Sequence, residues 1–417
     1  MLRIVDKPQD GKLEDQTLDE LAREGARRML LEALQAEVAA YVDRHDEARD
    51  EDGQALVVRN GKGRPRKVTL GSGTIEVAAP RVYDRRAGER FTSHILPPYM
   101  RRSPKVAEVL PVLYLRGLST GDFREALPAL LGEDASGLSA TAITRLVGQW
   151  RGEYTAFRRR DLSQQEYVYV WVDGVHFRVR LEEDRLCTLV VMGVRRDGTK
   201  ELLAVEDGYR ESAESWSSVL RHLKSRGLRA PLLAIGDGAL GFWQAVRDVW
   251  PETREQRCWV HRLANVLDKL PKRLQGQAKR ALHDIMQAET RVEAEAHIEQ
   301  FAAAYQAKYP KAVSSLRRDQ EGLLAFYDFP AEHWQHIRST NAIESAFATV
   351  RLRTRVTKGA GSRTRALTMA FKLLAMAERR WRRITAPELA GQLADGARFV
   401  DGIQQKDEQT EERKDAA

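Results

Sequence analysis

The sequence predicts a mixed α/β region enclosed between helical segments. Four β-rich runs, a helix and an apolar strand follow one another between residues 161 and 265, which is the order of an α/β layered domain. Apolar residues recur at helical spacing on both sides of that region. A chain of 417 residues has room for roughly two to four domains of average size, so we expect separate units.

Positive charge is concentrated in two segments of the chain. Lysine and arginine total 68 against 60 acidic residues, a net charge of +8, yet residues 59–102 alone carry +8 and residues 351–383 carry +10. The remainder of the chain therefore sums to −10. Basic segments of this kind favour double-stranded DNA as a partner.

Cysteine content and hydropathy exclude several classes of protein. Two cysteines, Cys187 and Cys258, are too few for a disulfide framework or a four-thiolate zinc site. The longest apolar runs, Val109–Leu115 and Leu189–Val194, are much shorter than the about 20 residues that cross a bilayer. We therefore expect a cytoplasmic protein with no membrane partner.

The first 102 residues predict a helical arm and a basic segment. Apolar residues at helical spacing indicate one amphipathic helix within residues 1–50, with Thr17 and Glu20 as a capping box. Residues 51–102 combine turn-forming residues with the strand-like alternation Thr74–Ala78. The basic stretch in this segment is either a solvated loop or an arm that contacts phosphates through Lys62, Arg64, Arg66 and Lys67.

Residues 103–160 predict three helices separated by short, glycine-containing breaks. That outline is typical of a helix-turn-helix, although a small helical bundle has the same pattern. The basic flank, which includes Arg145 and Arg151, favours a DNA-binding role.

The α/β region and the segments after it have the following expected elements. We expect strands over Tyr167–Val172, Val175–Leu181, Leu186–Val194, Leu202–Val205 and Leu232–Ile235, and helices over Ala213–Ser225 and Leu240–Val249. Helical patterns continue to Tyr309 and return over Ala342–Arg355 and Thr364–Arg383. Residues 386–417 are expected to form a polar tail, disordered from about Asp401.

Three carboxylates each have two interpretations, a structural role and a role in catalysis. Asp173, in Val172-Asp173-Gly174-Val175, belongs either to a hairpin turn or to a cleft at the end of the sheet. Asp237 closes the apolar strand, either as a helix N-cap or as a ligand at the edge where α/β sheets place ligands. Glu344 completes a possible capping box with Asn341, but a row of arginines follows it directly.

Together these carboxylates match the oxygen ligands that Mg²⁺ prefers. Two such ions about 3.5–4 Å apart activate a nucleophile and stabilise the leaving oxygen in a displacement at phosphorus. The arginine row is either a solvated helical face or a surface that binds an anion, because its positive charges lack neutralising acids. The row extends from Arg351 to Arg383, and its candidate DNA contacts are Arg351, Arg353, Arg355, Lys358, Arg363 and Arg365.

Cys258 and His261 form a C-x-x-H sequence. Zinc binding is the weaker interpretation because no second pair of ligands follows nearby. We favour packing, or positioning near the carboxylates.

Five stretches of the sequence resemble the mutator-type transposases of bacterial insertion sequences. They are Leu115–Thr120, Val172–Arg180, Ile235–Phe242, Gln256–Asn265 and Thr340–Ser345, in family order between Arg59 and Arg383. The resemblance implies an RNase H-like core whose Asp, Asp, Glu triad falls on Asp173, Asp237 and Glu344, with Mg²⁺ as cofactor and Mn²⁺ as its substitute. It also implies that Cys258, His261 and Asn341 support this site.

The resemblance also implies the order of the domains. A helix-turn-helix DNA-binding domain over 103–160 precedes the first part of the core, 161–265. A helical insertion over 266–335 then separates it from the last helices of the core, 336–385, which contain Glu344.

The implied activity is that of a DNA transposase in the bacterial nucleoid. It binds terminal inverted repeats, cleaves DNA and transfers the strand to a target, as a homodimer or higher oligomer that pairs two ends through a circular intermediate. Two rival hypotheses are a domesticated sequence-specific regulator that does not cut, and an RNase H-like nuclease that does not act in transposition.

Overall fold

The computed structural model describes residues 17–118, 122–131, 135, 139–178, 185–208, 211–238, 240–356 and 362–405. Contacts divide the chain into two units, Met1–Thr144 and Arg145–Ala417. The division falls inside the last helix of the segment 103–160, so most of that helix belongs to the second unit. A DNA-binding helix-turn-helix in this segment stays a prediction.

The first unit combines one long helix, two strand pairs and two shorter helices. Their bounds are α1 (Leu18–Arg44), β1 (Val57–Lys62), β2 (Arg66–Leu70), β3 (Gly73–Val77), β4 (Pro80–Asp84), α2 (Pro104–Arg116) and α3 (Asp122–Leu131). Strand β1 pairs antiparallel with β4, and β2 with β3. Helix α1 begins with the predicted capping box, which is confirmed: Thr17 and Glu20 each accept the other's backbone N–H.

The core of this unit lies between α1 and the hairpin β2–β3. Leu34 of α1 packs with Val68, Ile75 and Val77 of the strands. The solvated loop considered for the basic stretch is limited to residues 63–65, because Lys62 ends β1 and Arg66 begins β2, and the role of this stretch as a phosphate-contacting arm stays a prediction. Strand β2 buries Val68 and leaves Lys67 exposed, whereas Arg66 is half-buried.

The second unit is organised around a five-stranded mixed sheet. After α4 (Ala140–Arg159) come β5 (Tyr167–Arg178), β6 (Arg185–Arg195), β7 (Lys200–Gly208), α5 (Ala213–Ser225), β8 (Leu233–Gly236), α6 (Leu240–Val249) and β9 (Arg254–Arg257). The strand order is β7-β6-β5-β8-β9. The first three strands pair antiparallel, whereas β8 runs parallel to both β5 and β9. Helices α5 and α6 cover one face with Trp216, Leu220, Phe242 and Trp243.

The hairpin turn considered at Asp173 and Gly174 is absent, and that interpretation is wrong. Strand β5 runs without a break through both residues, which pair with Val190 and Leu189 of β6. The Asp-Gly pair tolerates this because the flanking residues Val172 and Val175 are buried in the sheet. Two predicted strands are therefore one.

Helices follow β9. They are α7 (Trp259–Leu267), α8 (Lys272–Gln287), α9 (Arg291–Tyr305), α10 (Pro310–Arg317), α11 (Gln320–Leu324), α12 (Trp334–Ile337), α13 (Asn341–Val356), α14 (Arg363–Glu378) and α15 (Pro387–Ala394). Short 3₁₀-helices cover Ala325–Asp328 and Ala331–His333, and β10 (Phe399–Val400) pairs with β11 (Ile403–Gln404).

The segment predicted as a polar tail is structured as far as it is described. Within 386–405 it holds α15 and the hairpin β10–β11, because Ala390, Leu393 and Phe399 are buried. The hairpin turns at Asp401 and Gly402, both with positive φ, and Asp401 Oδ1 accepts the backbone N–H of Arg291 at 2.8 Å. Residues 406–417 lie outside the described residues.

Among the described residues, no helix has both the length and the apolar character needed to cross a membrane.

Candidate active site

Two parallel strands bring Asp173 and Asp237 to the same edge of the sheet. Trp171 of β5 pairs with Ile235 of β8. Asp173 and Asp237 each lie two residues beyond that pair, so the two residues lie at the same level, where β8 ends and β5 continues along β6. This is the carboxyl edge of β8, where open α/β sheets bind ligands.

Asp173 lies in a strongly negative and partly buried environment. Its Oδ1 accepts the backbone N–H of Gly174 at 2.8 Å. Burial and the charge of Asp237 raise the pKa of Asp173 to about 7, with smaller contributions from Glu211 and Glu344. The negative charges of Asp237, Glu211 and Glu344 therefore all disfavour the charged form of Asp173.

The backbone around Asp237 is held on both sides. The carbonyl of Asp237 accepts the indole N–H of Trp243 at 2.9 Å, and the carbonyl of Gly236 accepts the N–H of Cys258 at 2.8 Å. A Cβ on Gly236 would come within 3.1 Å of the Trp243 ring and 3.2 Å of Val172. The close packing fixes the point at which the chain leaves β8.

Glu344 is oriented by a threonine that precedes its helix. The hydroxyl of Thr340 donates to Glu344 Oε1 at 2.5 Å, and the Thr340 carbonyl accepts the Glu344 N–H at 3.0 Å. Asn341 is the first residue of α13, so the capping box proposed between Asn341 and Glu344 is wrong. Asn341 is exposed, and its supporting role stays a prediction.

Thr340 also joins Glu344 to the C-x-x-H sequence. The Thr340 N–H donates to Cys258 Sγ at 3.3 Å, and its hydroxyl lies 3.2 Å from that sulfur and 3.4 Å from His261 Nδ1. His261 Nδ1 is 3.8 Å from Glu344 Oε1. The structure thus brings together Cys258, His261 and Glu344, whose ligand atoms all lie within 4.8 Å of one another.

Cys258 and His261 shift each other's titration. The hydrogen bond to Cys258 raises the pKa of His261 to about 9, against the effect of burial. Burial alone would raise the pKa of the Cys258 thiol, but hydrogen bonds with His261 and Thr340 lower it below its ordinary value. The site therefore contains positive charge next to its carboxylates.

Sequence reasoning missed Glu211, which adds a carboxylate to this edge. A Cβ placed on Gly174 would lie 2.4 Å from Glu211 Oε1, so the carboxylate rests directly against that glycine. Burial and the charge of Asp237 raise the pKa of Glu211, while His261 lowers it. In the sequence Glu211 has no distinguishing pattern, because it sits in a connection ahead of the α5 N-cap Ser212.

The carboxylate oxygens at this edge are the donor type that a hard divalent cation prefers. Several carboxylates converge on one edge, and burial with mutual repulsion holds a proton on Asp173 near neutral pH. Among the described residues, the groups of three potential ligands with all ligand atoms within 4.8 Å are Cys258–His261–Glu344 and His176–Cys187–Glu211. The predicted triad of Asp173, Asp237 and Glu344 is thus more widely spaced than these groups.

The predicted DNA-contacting residues differ in exposure. Lys62, Arg64, Lys67, Arg145, Arg151 and Arg351 are exposed, and Arg365 is half-buried. Arg66 donates to the carbonyls of Leu96 and Pro97 at 2.9 and 3.0 Å. Arg363 pairs with Asp207 at 2.9 Å, and Arg353 is 5% exposed. Lys358 and the side chain of Arg355 lie outside the described residues.

Comparison with known proteins identifies a family. A sequence profile described as "Transposase, Mutator family" matches residues 5–383. The chain is 57% identical to the transposase for insertion sequence element IS6120 of Mycolicibacterium smegmatis over 297 residues, 71% of this chain and 92% of that protein. It is 52% identical to the transposase for insertion sequence element IST2 of Acidithiobacillus ferrooxidans over 281 residues, 67% of this chain and 95% of that protein.

A solved structure, the Drosophila P element transposase strand transfer complex, matches 75% of this chain and 87% of that one at 9% identity and a TM-score of 0.28, which does not establish a common fold. The family assignment rests on the sequence relatives alone. The chain belongs to the mutator family of transposases.

Proposed function

We propose that this DNA transposase binds the terminal inverted repeats of an insertion sequence, cleaves the DNA there and transfers the cut strand to a target. The observation that supports this most directly is the convergence of carboxylates at the edge of β5 and β8, where burial and Asp237 raise the pKa of Asp173 to about 7. Partly buried carboxylates that raise one another's pKa are typical of catalytic sites, whereas DNA binding alone does not require them.

The core is proposed to be RNase H-like. Three antiparallel strands, a helix, and two further strands that run parallel to the first support this, in the order β7-β6-β5-β8-β9. We propose that the helices from α8 to α11 belong to the insertion predicted over 266–335. Helix α13 then contributes Glu344 to the same site.

Asp173, Asp237 and Glu344 are the residues that would hold Mg²⁺. When bound, divalent ions supply Lewis-acid activation of the attacking oxygen and neutralise charge on the leaving oxygen. The protein's own contribution is to place the ligands: the Gly174 N–H holds Asp173, the Trp243 indole holds the Asp237 backbone, and Thr340 holds Glu344. Because these hydrogen bonds orient the side chains before the reaction, the side chains need less reorganisation in the transition state.

The proposed chemistry consists of two displacements at phosphorus. In cleavage, a water oxygen bonds to phosphorus, the bond to the 3′-oxygen breaks, and that oxygen takes up a proton to become a 3′-hydroxyl. In transfer, this hydroxyl oxygen bonds to a target phosphorus while another phosphorus–oxygen bond breaks. One phosphodiester replaces another, so the transfer needs no external energy source.

Exposed basic side chains are proposed to hold the DNA backbone. Lys62 and Arg64 in the first unit and Arg151 and Arg351 in the second are exposed and lie in or next to basic segments. Contacts to phosphates position DNA without reading its sequence. We propose that at least two copies act together, because two ends must be joined.

The test is cleavage and strand transfer of end-containing DNA by Asp237→Asn and Glu344→Gln variants. Both changes remove a charge with little change in volume, so we expect loss of cleavage and transfer with retained DNA binding. Glu214→Gln is the matched control, since Glu214 is an exposed carboxylate on α5. Unchanged cleavage by Asp237→Asn would refute the site, and binding of repeats without cleavage by the wild type would favour the regulator.

The DNA sequence on either side of the gene distinguishes a transposase from a nuclease that does not act in transposition. A mobile element is bounded by imperfect inverted repeats and a short direct duplication. Their presence, and joined ends recovered after expression, would support the transposase. A site that cleaves structured nucleic acid without joining it would support a nuclease.

A further inference from the structure

A second cluster of potential metal ligands lies on the opposite face of β5 from Asp173. Side chains alternate along a strand, so Trp171 and Asp173 face one way while Gly174 and His176 face the other. His176 is paired directly with Cys187 of β6. Directly opposed residues of an antiparallel pair have Cβ atoms about 4.5–5.5 Å apart on the same face, so the imidazole and the thiol are neighbours.

Glu211 completes this cluster. Its carboxylate rests against Gly174, two residues before His176 on the same face, where only the absence of a side chain leaves space for it. The ligand atoms of His176, Cys187 and Glu211 all lie within 4.8 Å of one another. One nitrogen, one sulfur and one oxygen donor, from two strands and the connection ahead of α5, therefore converge.

We propose that His176, Cys187 and Glu211 form a binding site for a transition metal of the zinc class, adjacent to the proposed magnesium site and with no ligand in common with it. Sulfur and imidazole ligands favour zinc-class ions over Mg²⁺, which prefers an all-oxygen set. Three protein ligands leave one tetrahedral position for water. His176 is exposed and gives the ion an entry route, whereas Cys187 is 1% exposed and anchors the inner side.

The position of the cluster defines what a bound ion would do. It would tie β5 to β6 and to the start of α5, the three elements that flank Asp173 and Glu211. Binding requires loss of the thiol proton, because the thiolate is the ligand. The free energy of binding would therefore appear as added stability of the folded chain, and it would fall as the pH falls.

The test uses Co²⁺ as a spectroscopic probe for the full-length protein without DNA, in excess Mg²⁺. A thiolate–cobalt charge-transfer band is expected for the wild type and is expected to be lost in Cys187→Ser. Cys258→Ser is the matched control, because Cys258 is the other cysteine and belongs to a different ligand group. A band that persists in Cys187→Ser, or disappears in Cys258→Ser alone, would overturn the assignment.

His176→Gln tests the site with a second variant, in case Cys187→Ser does not fold. His176 is exposed, so its replacement should leave the metal-free melting temperature unchanged. We expect at least about tenfold weaker Co²⁺ and Zn²⁺ binding in His176→Gln and Glu211→Gln. Unchanged affinity in His176→Gln would contradict the site. Asp237→Asn should retain the cobalt band, so this result is independent of whether the proposed cleavage site is correct.

Discussion

The Thr340 hydroxyl donates a 2.5 Å hydrogen bond to Glu344 Oε1, and this contact fixes the direction in which the glutamate points. The hydroxyl oxygen of Thr340 also lies 3.2 Å from Cys258 Sγ. Thr340→Val keeps the shape of the side chain but removes the hydroxyl. We expect it to lower the rate of DNA cleavage at least about tenfold, because Glu344 loses its orientation, and to lower the free energy of unfolding by about 1–2 kcal/mol.

Thr340→Ser is the matched control, since it restores the hydroxyl and loses only a methyl group. Cleavage assays on end-containing DNA and thermal melts should be made on both variants. If serine and valine reduce the rate equally while both fold, the hydroxyl has no positioning role.

Removing the charge at Asp173 should stabilise the metal-free protein at high pH. The folded-state pKa is about 7 against an ordinary 3.8, so the folded chain binds more protons than the unfolded chain between these values, and stability falls as pH rises through that window. One pKa unit corresponds to about 1.4 kcal/mol, which gives an upper limit of about 4 kcal/mol. We expect Asp173→Asn to melt higher than the wild type at pH 8, with a smaller difference at pH 5.

Melts in EDTA measure this difference, and Mg²⁺ provides the complementary readout. The wild type should gain stability from Mg²⁺ at pH 8, whereas Asp173→Asn should gain much less. Glu214→Gln should respond to both conditions like the wild type. Equal melting temperatures for Asp173→Asn and the wild type at both pH values would show that neither burial nor the neighbouring carboxylates disfavour the charged form of Asp173.

The sequence was most informative where local patterns determine structure. The bounds predicted for α5 and α6, Ala213–Ser225 and Leu240–Val249, match the structure, because an apolar stripe is sufficient to define a surface helix. It was misleading at Asp173 and Gly174, where a strong local turn signal is overridden by pairing with β6. Contacts between residues far apart in the sequence determine whether such a pair forms a turn or continues a strand, and these contacts cannot be recognised from the neighbouring residues alone.

The candidate site shows the same limit. Asp237 follows a strand end and Glu344 lies in the first turn of α13, so both could be selected from local patterns, whereas Asp173 was selected at a strand end that the structure does not contain. The contact between Thr340 and Cys258 could not be predicted, because the two residues are 82 positions apart in the sequence. Glu211 was overlooked for the same reason, since its importance depends on the glycine it touches in another strand.

Lys62 and Arg64 should contribute to DNA affinity without contributing to stability. Both are exposed, so the double variant Lys62→Ala with Arg64→Ala should keep the wild-type melting temperature. If each contacts one phosphate, the slope of log affinity against log salt should fall by about 1.8. Lys279→Ala with Arg280→Ala is the charge-matched control on the exposed face of α8. Equal slopes for the two double variants would show that Lys62 and Arg64 do not contact DNA.

Arg353 and Arg351 lie on the same helix but should behave in opposite ways. Arg353 is 5% exposed, whereas Arg351 is exposed and its guanidinium lies 5.7 Å from the centre of the Phe347 ring. Arg353→Ala removes a large buried side chain and leaves a cavity in its place, so we expect a loss of about 3 kcal/mol in the free energy of unfolding. Arg351→Ala should weaken DNA binding with little change in stability. Denaturant unfolding and DNA titrations at several salt concentrations distinguish the two, and a stable Arg353→Ala variant with a reduced salt slope would instead place that side chain on the DNA-binding surface.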